Sequence, residues 1–260
     1  MENSPTSFED FSRLALTKIR LIATDMDGTL TQQGQFTASL SQALEALAAE
    51  GLATIIVTGR SAGWVQGILA YLPIVGAIAE NGGIFMPKET LEPVCLVKLP
   101  AHDQHRAQLA AMFATIQQDF SDLQPSSDNR FRLTDWTFDI GHLSPSDLQQ
   151  IAQTCQAAGW GFTYSTVQCH IRPLNQDKGI GLQAVLDQYF PTIAPQQIVT
   201  IGDSPNDEAL FDPQRFPVSV GVANVKHYHD RLRYLPALIT QGMEVQGFQE
   251  LVQAILAARS

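Results

Sequence analysis

Five short apolar runs, each ending in polar or turn residues, constrain the fold of this chain more than any other feature. They cover residues 19–24, 52–57, 75–79, 197–201 and 217–222. Between them lie amphipathic stretches. Residues 37–50 carry Leu40, Leu44 and Leu47 at helical spacing, with Gly51 where a helix stop belongs, and residues 62–72 read as a second helix. Buried strands alternating with helices predict an α/β fold of parallel βαβ units, with both faces of the sheet covered.

The middle of the chain follows a different rule. Residues 94–99, 131–141 and 161–172 read as strands with alternating polar positions, exemplified by Phe131 and Leu133 and by Phe162 and Tyr164. Helices over about 105–120 and 146–158 lie between them. Alternation predicts a sheet with one wet face. The expected organisation is a parallel-sheet core over 18–87 and 173–260, an inserted α+β domain over 88–172, and an N-terminal extension over 1–17.

Hydrophobic residues make up 45% of the 260 positions and charged residues 16%, enough apolar material for a core of this size. The formal charge of −10 argues against a nucleic-acid partner. An anionic substrate must therefore be drawn in by local cations. Cys95, Cys155 and Cys169 form no CxxC pair, so a reducing cytoplasm is expected. The first residues lack a basic-then-apolar leader pattern, and no apolar run approaches the length of a membrane span.

The polar clusters at the strand ends carry the chemistry. Ligands of an open parallel sheet bind at the carboxyl ends of its strands. Asp25 and Asp27 follow the first run, Thr58-Gly59-Arg60 the second, and Asp203 to Asp207 a late one, while Lys178 opens a helix. Asp25 and Asp27, two residues apart on a strand, point the same way. Two such charges about 4 Å apart repel by roughly 4 kcal/mol at an effective dielectric near 20. A cation, or a proton on one of them, relieves that cost. Carboxylates with a nearby hydroxyl suit Mg²⁺ and a substrate phosphate. In that chemistry Asp25 is the nucleophile on phosphorus and Asp27 the general acid. Thr58 donates to a phosphoryl oxygen, and Lys178 supplies fixed positive charge.

Asp25-x-Asp27-Gly28-Thr29, Thr58 at a strand end, Lys178, and Gly202-Asp203-x-x-Asn206-Asp207 resemble, in order, the four motifs of the haloacid dehalogenase superfamily. The resemblance implies a Rossmann-like core with an α+β cap inserted between the second and third motifs. It also implies Mg²⁺ held by Asp25, the backbone carbonyl of Asp27 and Asp203, with Asp207 in support. The second aspartate favours hydrolysis of a phosphate ester. The large late insertion resembles the branch of sugar-phosphate, sucrose-phosphate and archaeal phosphoglycolate phosphatases. Asn129-Arg130-Phe131-Arg132, leading to Phe138-Asp139, with His170 ahead of Asp177-Lys178-Gly179, is most similar to the phosphoglycolate type.

The expected partner is thus a small phosphorylated metabolite, with a phosphotransferase or mutase, and a phospho-aspartate receiver, as rivals. Gly59, Arg60, Asn81, Arg130, Arg132, His170 and Asn206 complete the substrate-side set. Several have plain alternatives: Arg60 as the partner of an acid, Asn81 as a turn residue, Arg130, Arg132 and His170 as a solvated strand face. His102, His105, His227 and His229 are expected at the surface, and Trp64, Trp136 and Trp160 in packing roles.

Overall fold

In the computed structural model, which describes residues 13–165 and 167–259, the first apolar run becomes the centre of a large sheet. After a short helical turn, α1 (Arg13–Leu16), β1 (Leu21–Thr24) is followed by α2 (Ala38–Ala49), β2 (Ala53–Val57), α3 (Ala62–Leu69), β3 (Gly76–Ala79), β4 (Ile84–Pro87) and β5 (Val94–Cys95). A second group comprises α4 (His102–Ile116), β6 (Trp136–Asp139), α5 (Pro145–Ala157), β7 (Trp160–Tyr164) and β8 (Gln168–Pro173). The chain then returns through α6 (Lys178–Tyr189), β9 (Ile198–Gly202), β10 (Ser219–Gly221), β11 (Leu238–Ile239) and α7 (Glu244–Arg259).

Eight strands form the large sheet in the order β11-β10-β9-β1-β2-β3-β4-β5. From β11 to β3 all neighbours are parallel, and β4 and β5 add an antiparallel edge. Alternation along β1 separates the two cores. Ile22 packs with Leu40, Leu44, Phe248 and Leu251 on the face covered by α2 and α7. Leu21 and Ala23 pack with Leu182, Val185 and Phe211 on the face covered by α6. Burial on both faces is why these strands are apolar throughout.

The smaller sheet is antiparallel, in the order β6-β8-β7. Phe138, Cys169 and Ile171 on one side pack against Leu109 and Phe113 of α4 and Ile151 and Cys155 of α5. The intervening positions Thr137, Gln168, His170 and Arg172 belong to the other face, which lies over the large sheet's site. A serine N-cap fixes the start of α5, Ser144 accepting from Asp147 N while Asp147 reaches back to Ser144 N.

Three expectations for the middle of the chain are corrected. The run over 94–99 forms a strand only at Val94–Cys95 and pairs with Ile84 and Phe85 at the edge of the large sheet. The single strand expected over 131–141 is a 3₁₀ turn at Ser127–Phe131 followed by β6, because buried polar contacts made by Arg132 and Asp135 interrupt the ladder. The run over 161–172 is a hairpin of two strands. Of the expected extension over 1–17, residues 1–12 lie outside the described residues. No helix among the described residues is long and apolar enough to cross a membrane.

Candidate active site

The carboxyl ends of β1, β2 and β9 and the start of α6 meet at one place, as the strand order requires. Asp25 continues β1, its amide donating to Ile201 O of β9 at 2.8 Å. The chain then turns at Gly28, at φ +84°, where a Cβ would sit 2.5 Å from Asp203 Oδ2. No other residue fits that position. Asp207, in the 3₁₀ turn Pro205–Phe211, accepts through Oδ2 from the amides of Asp203 and Ser204, which fixes the loop after β9.

Asp25, Asp203 and Asp207 are buried and offer carboxylate oxygens within 4.8 Å of one another. A single cation lies among them. Lys178 Nζ is 2.5 Å from Asp25 Oδ1 and 2.6 Å from Asp207 Oδ1. Asp203 Oδ2 accepts from Asn224 Nδ2 at 2.8 Å, but its Oδ1 is buried without a partner. Burial, reinforced by the Asp207 charge, raises the Asp25 pKa to about 7 despite Lys178. Burial and the charges of Asp25 and Asp207 likewise hold Asp203 well above the usual carboxylate range. Burial alone would depress Lys178; Asp207 and Asp25 outweigh it and raise its pKa. Three acids against one amine, with one oxygen unpartnered, is the electrostatic signature of a place for a hard cation.

Asp27 stands apart from that trio. Arg60 grips its carboxylate through Nε at 2.9 Å and Nη2 at 2.6 Å. That bond in turn raises the Arg60 pKa, and the guanidinium also lies 5.3 Å from the Trp64 ring centroid. Of the two readings of Arg60, the acid partner is the one observed, and the acid is Asp27. Thr58 is buried beside it, its hydroxyl accepting from Arg60 N. Asn81 adopts φ 51°, as its turn reading required, and its Oδ1 also accepts from Asn206 Nδ2 at 3.1 Å.

The smaller sheet supplies a roof. Ser165, Gln168 and His170 line a cavity of about 10 Å³ together with Asp25, Asp27, Gly59 and Arg60. His170 is buried and bonds Asp135 Oδ2 through Nδ1 at 2.8 Å. Its ring approaches Gly59 so closely that a Cβ there would lie 3.1 Å from it. Arg132 is likewise buried rather than solvated, and donates to Gly59 O, Asp135, Asp128 and Gln168. It clasps the roof to the loop after β2. Arg130 is exposed over the Phe131 ring and lines neither this cavity nor the larger one beside it.

Glu80 and Asp135 were missed by reading the sequence. Glu80 is fully buried at φ 53° and accepts from Ala62 N, Leu133 N, Thr134 N and Thr134 Oγ1. Burial raises its pKa, and the Asp135 charge adds to that. The signal available is the turn Glu80-Asn81-Gly82-Gly83, in which an acid directly follows the buried strand Gly76–Ala79. His105, expected at the surface, is buried instead with Nε2 2.9 Å from Thr134 O.

A family model described as sucrose-6F-phosphate phosphohydrolase matches residues 18–250, nearly the whole chain, including the three strand-end clusters and Lys178. The chain belongs to this family of haloacid dehalogenase-type phosphatases. The phosphoglycolate phosphatase of Methanothrix thermoacetophila is 26% identical over 245 residues, covering 92% of this chain and 98% of its own. Phosphoglycolate phosphatase 1 of Saccharolobus solfataricus is 26% identical over 242 residues, covering 92% and 96%. Among solved structures, a Thermoplasma acidophilum protein superposes with a TM-score of 0.71 at 19% identity, over 92% of this chain and 98% of that one. The sucrose-phosphatase of Synechocystis sp. PCC6803, solved with sucrose and phosphate, gives 0.67 at 17% identity, over 90% and 97%. Both share the fold of this phosphohydrolase: a mainly parallel sheet with an added antiparallel one.

Proposed function

We propose that this phosphatase hydrolyses the monoester of a small phosphorylated metabolite, phosphoglycolate or a sugar phosphate, through a phosphoryl group carried on Asp25. The observation that carries this reading is the undercompensated trio, with the buried, unpartnered Asp203 Oδ1. Asp25, Asp203 and the Asp27 backbone carbonyl would hold Mg²⁺, with Asp207 in support. When bound, that ion offsets the crowded carboxylates and the charge on the phosphoryl oxygens.

Asp25 attacks phosphorus as the bond to the leaving oxygen breaks. Arg60 shifts from Asp27 onto the phosphoryl oxygens, and the freed Asp27 takes up a proton from solvent and passes it to the leaving oxygen. Asp27 then removes a proton from water, whose oxygen displaces Asp25 from phosphorus. Thr58 and Lys178 orient and stabilise the transferred group. Gly59, Asn81 and Asn206 border it, and the segment that folds as the smaller sheet and its helices acts as a cap, with Gln168 and His170 among the side chains it places over the site. A cavity of about 10 Å³ holds about one water, so the cap lifts for substrate to enter.

The test is a phosphate-release screen over phosphorylated metabolites with Mg²⁺, using Asp25→Asn as the blank. Phosphate released by the wild type alone supports the reading. A stable phosphorylated Asp25 without turnover, or transfer to a sugar hydroxyl in place of water, contradicts it.

A further inference from the structure

Beside the small cavity lies a larger one, about 270 Å³, between β7 and the core turn Pro205–Phe211. Asn206 lines both, and Asn81, Phe162, Arg172, Lys178 and Arg233 contribute to the larger. A ligand whose phosphoryl group reaches Asp25 has this space for the rest of its atoms.

Arg172 is the unusual member. It follows Gln168 and His170 on the core-facing side of β8. Its Nη1 donates to the carbonyls of Pro173 and Gln176, its Nε is buried without a partner, and no carboxylate lies within ion-pairing distance among the described residues. A half-buried guanidinium is ordinarily paired. Space has been left for it: across the hairpin stands Gly161, where a Cβ would lie 2.8 Å from Arg172 Nη1. Asn81, which also lines this cavity, is 1% exposed, and its unpartnered Nδ2 lies toward Gly59 on the side of the small cavity. Lys178 adds no free charge, since Asp25 and Asp207 occupy it. Glu208 and Asp177 also line the cavity, but each carboxylate accepts from a backbone amide, of Arg233 and Ile180 respectively.

From these contacts we infer that Arg172 forms an anion-accepting subsite between cap and core, selecting phosphate esters whose leaving alcohol carries a carboxylate. This rests on the phosphatase reading above. A guanidinium takes a carboxylate by two parallel bonds, and only its planar fork offers that geometry. A neutral polyol would leave the Arg172 charge uncompensated.

A matched pair of esters tests it: phosphoglycolate and 2-hydroxyethyl phosphate, which differ in carboxylate against hydroxymethyl. Wild type should favour phosphoglycolate in kcat/KM. Arg172→Met should lower that preference about 10- to 100-fold, the loss of one charge-assisted contact, mostly through KM. Arg172→Lys should recover part of it, and it carries the test if Arg172→Met does not fold. No preference in wild type, or an equal effect of Arg172→Met and Arg172→Lys on both esters, overturns the subsite while leaving the phosphatase intact. Failure of wild type on both esters and on p-nitrophenyl phosphate overturns the phosphatase reading and the subsite together.

Discussion

Two groups of buried carboxylates lie on either side of Asn81, and their surroundings treat them in opposite ways. Glu80 accepts from four donors, and Asp135 is held by Arg132 and His170. Burial opposes ionisation of Asp135, yet Arg132 and His170 outweigh it and keep its pKa below the usual value. Asp25, Asp203 and Asp207 share one lysine, and one of their oxygens has no partner. Both groups are equally buried, so burial does not separate structure from chemistry. Completeness of the carboxylates' own hydrogen bonding does. The satisfied group fastens the smaller sheet to the core; the unsatisfied one is the cation site proposed above.

Removing one acid from each group should break the symmetry. Asp25→Asn, the blank of the phosphate-release screen, is expected to lose about 10⁴-fold or more in turnover. Its melting temperature in metal-free buffer should not fall, because crowding is relieved. A marked loss of stability would place Asp25 with the structural acids. Glu80→Ala should show the reverse, losing about 3–5 kcal/mol of folding stability as four donors lose their acceptor. Denaturant unfolding measures this, and a loss below about 1 kcal/mol would remove Glu80 as the fastening residue.

The smallest effect concerns pH. Burial lowers the His170 pKa below 6.5, and Asp135 offsets this only in part. The unfolded chain takes up that proton near pH 6.5, the folded protein only at lower pH. Below that point the unfolded state binds more protons, so stability falls as pH falls. His170→Gln should flatten that part of the curve between about pH 7.5 and 5.5. Equal slopes in the two proteins would contradict the burial of a neutral His170.

The two groups also differ in how far the sequence reveals them. Asp25, Asp27, Thr58, Lys178, Asp203 and Asp207 each follow an apolar strand or open a helix, and strand order alone brings such positions together. The alternation in the smaller sheet was legible too, because Gln168, His170 and Arg172 alternate with Cys169 and Ile171, but the polar face expected to be wet is buried against the core, with Thr137, Gln168 and His170 all closed off from solvent. Glu80 and Asp135 were not. Their partners are backbone amides and side chains set by how the cap docks, and docking has no period. The edge strand Val94–Cys95 was misplaced for a related reason: two residues carry too little pattern to say which sheet they join.

If incomplete compensation marks the site of a divalent cation, titration with Mg²⁺ in a calorimeter should separate wild type from Asp203→Asn. The wild type should show one saturable site, and the variant should lose that binding. Absence of binding in the wild type, or equal binding in both proteins, would contradict the cation site.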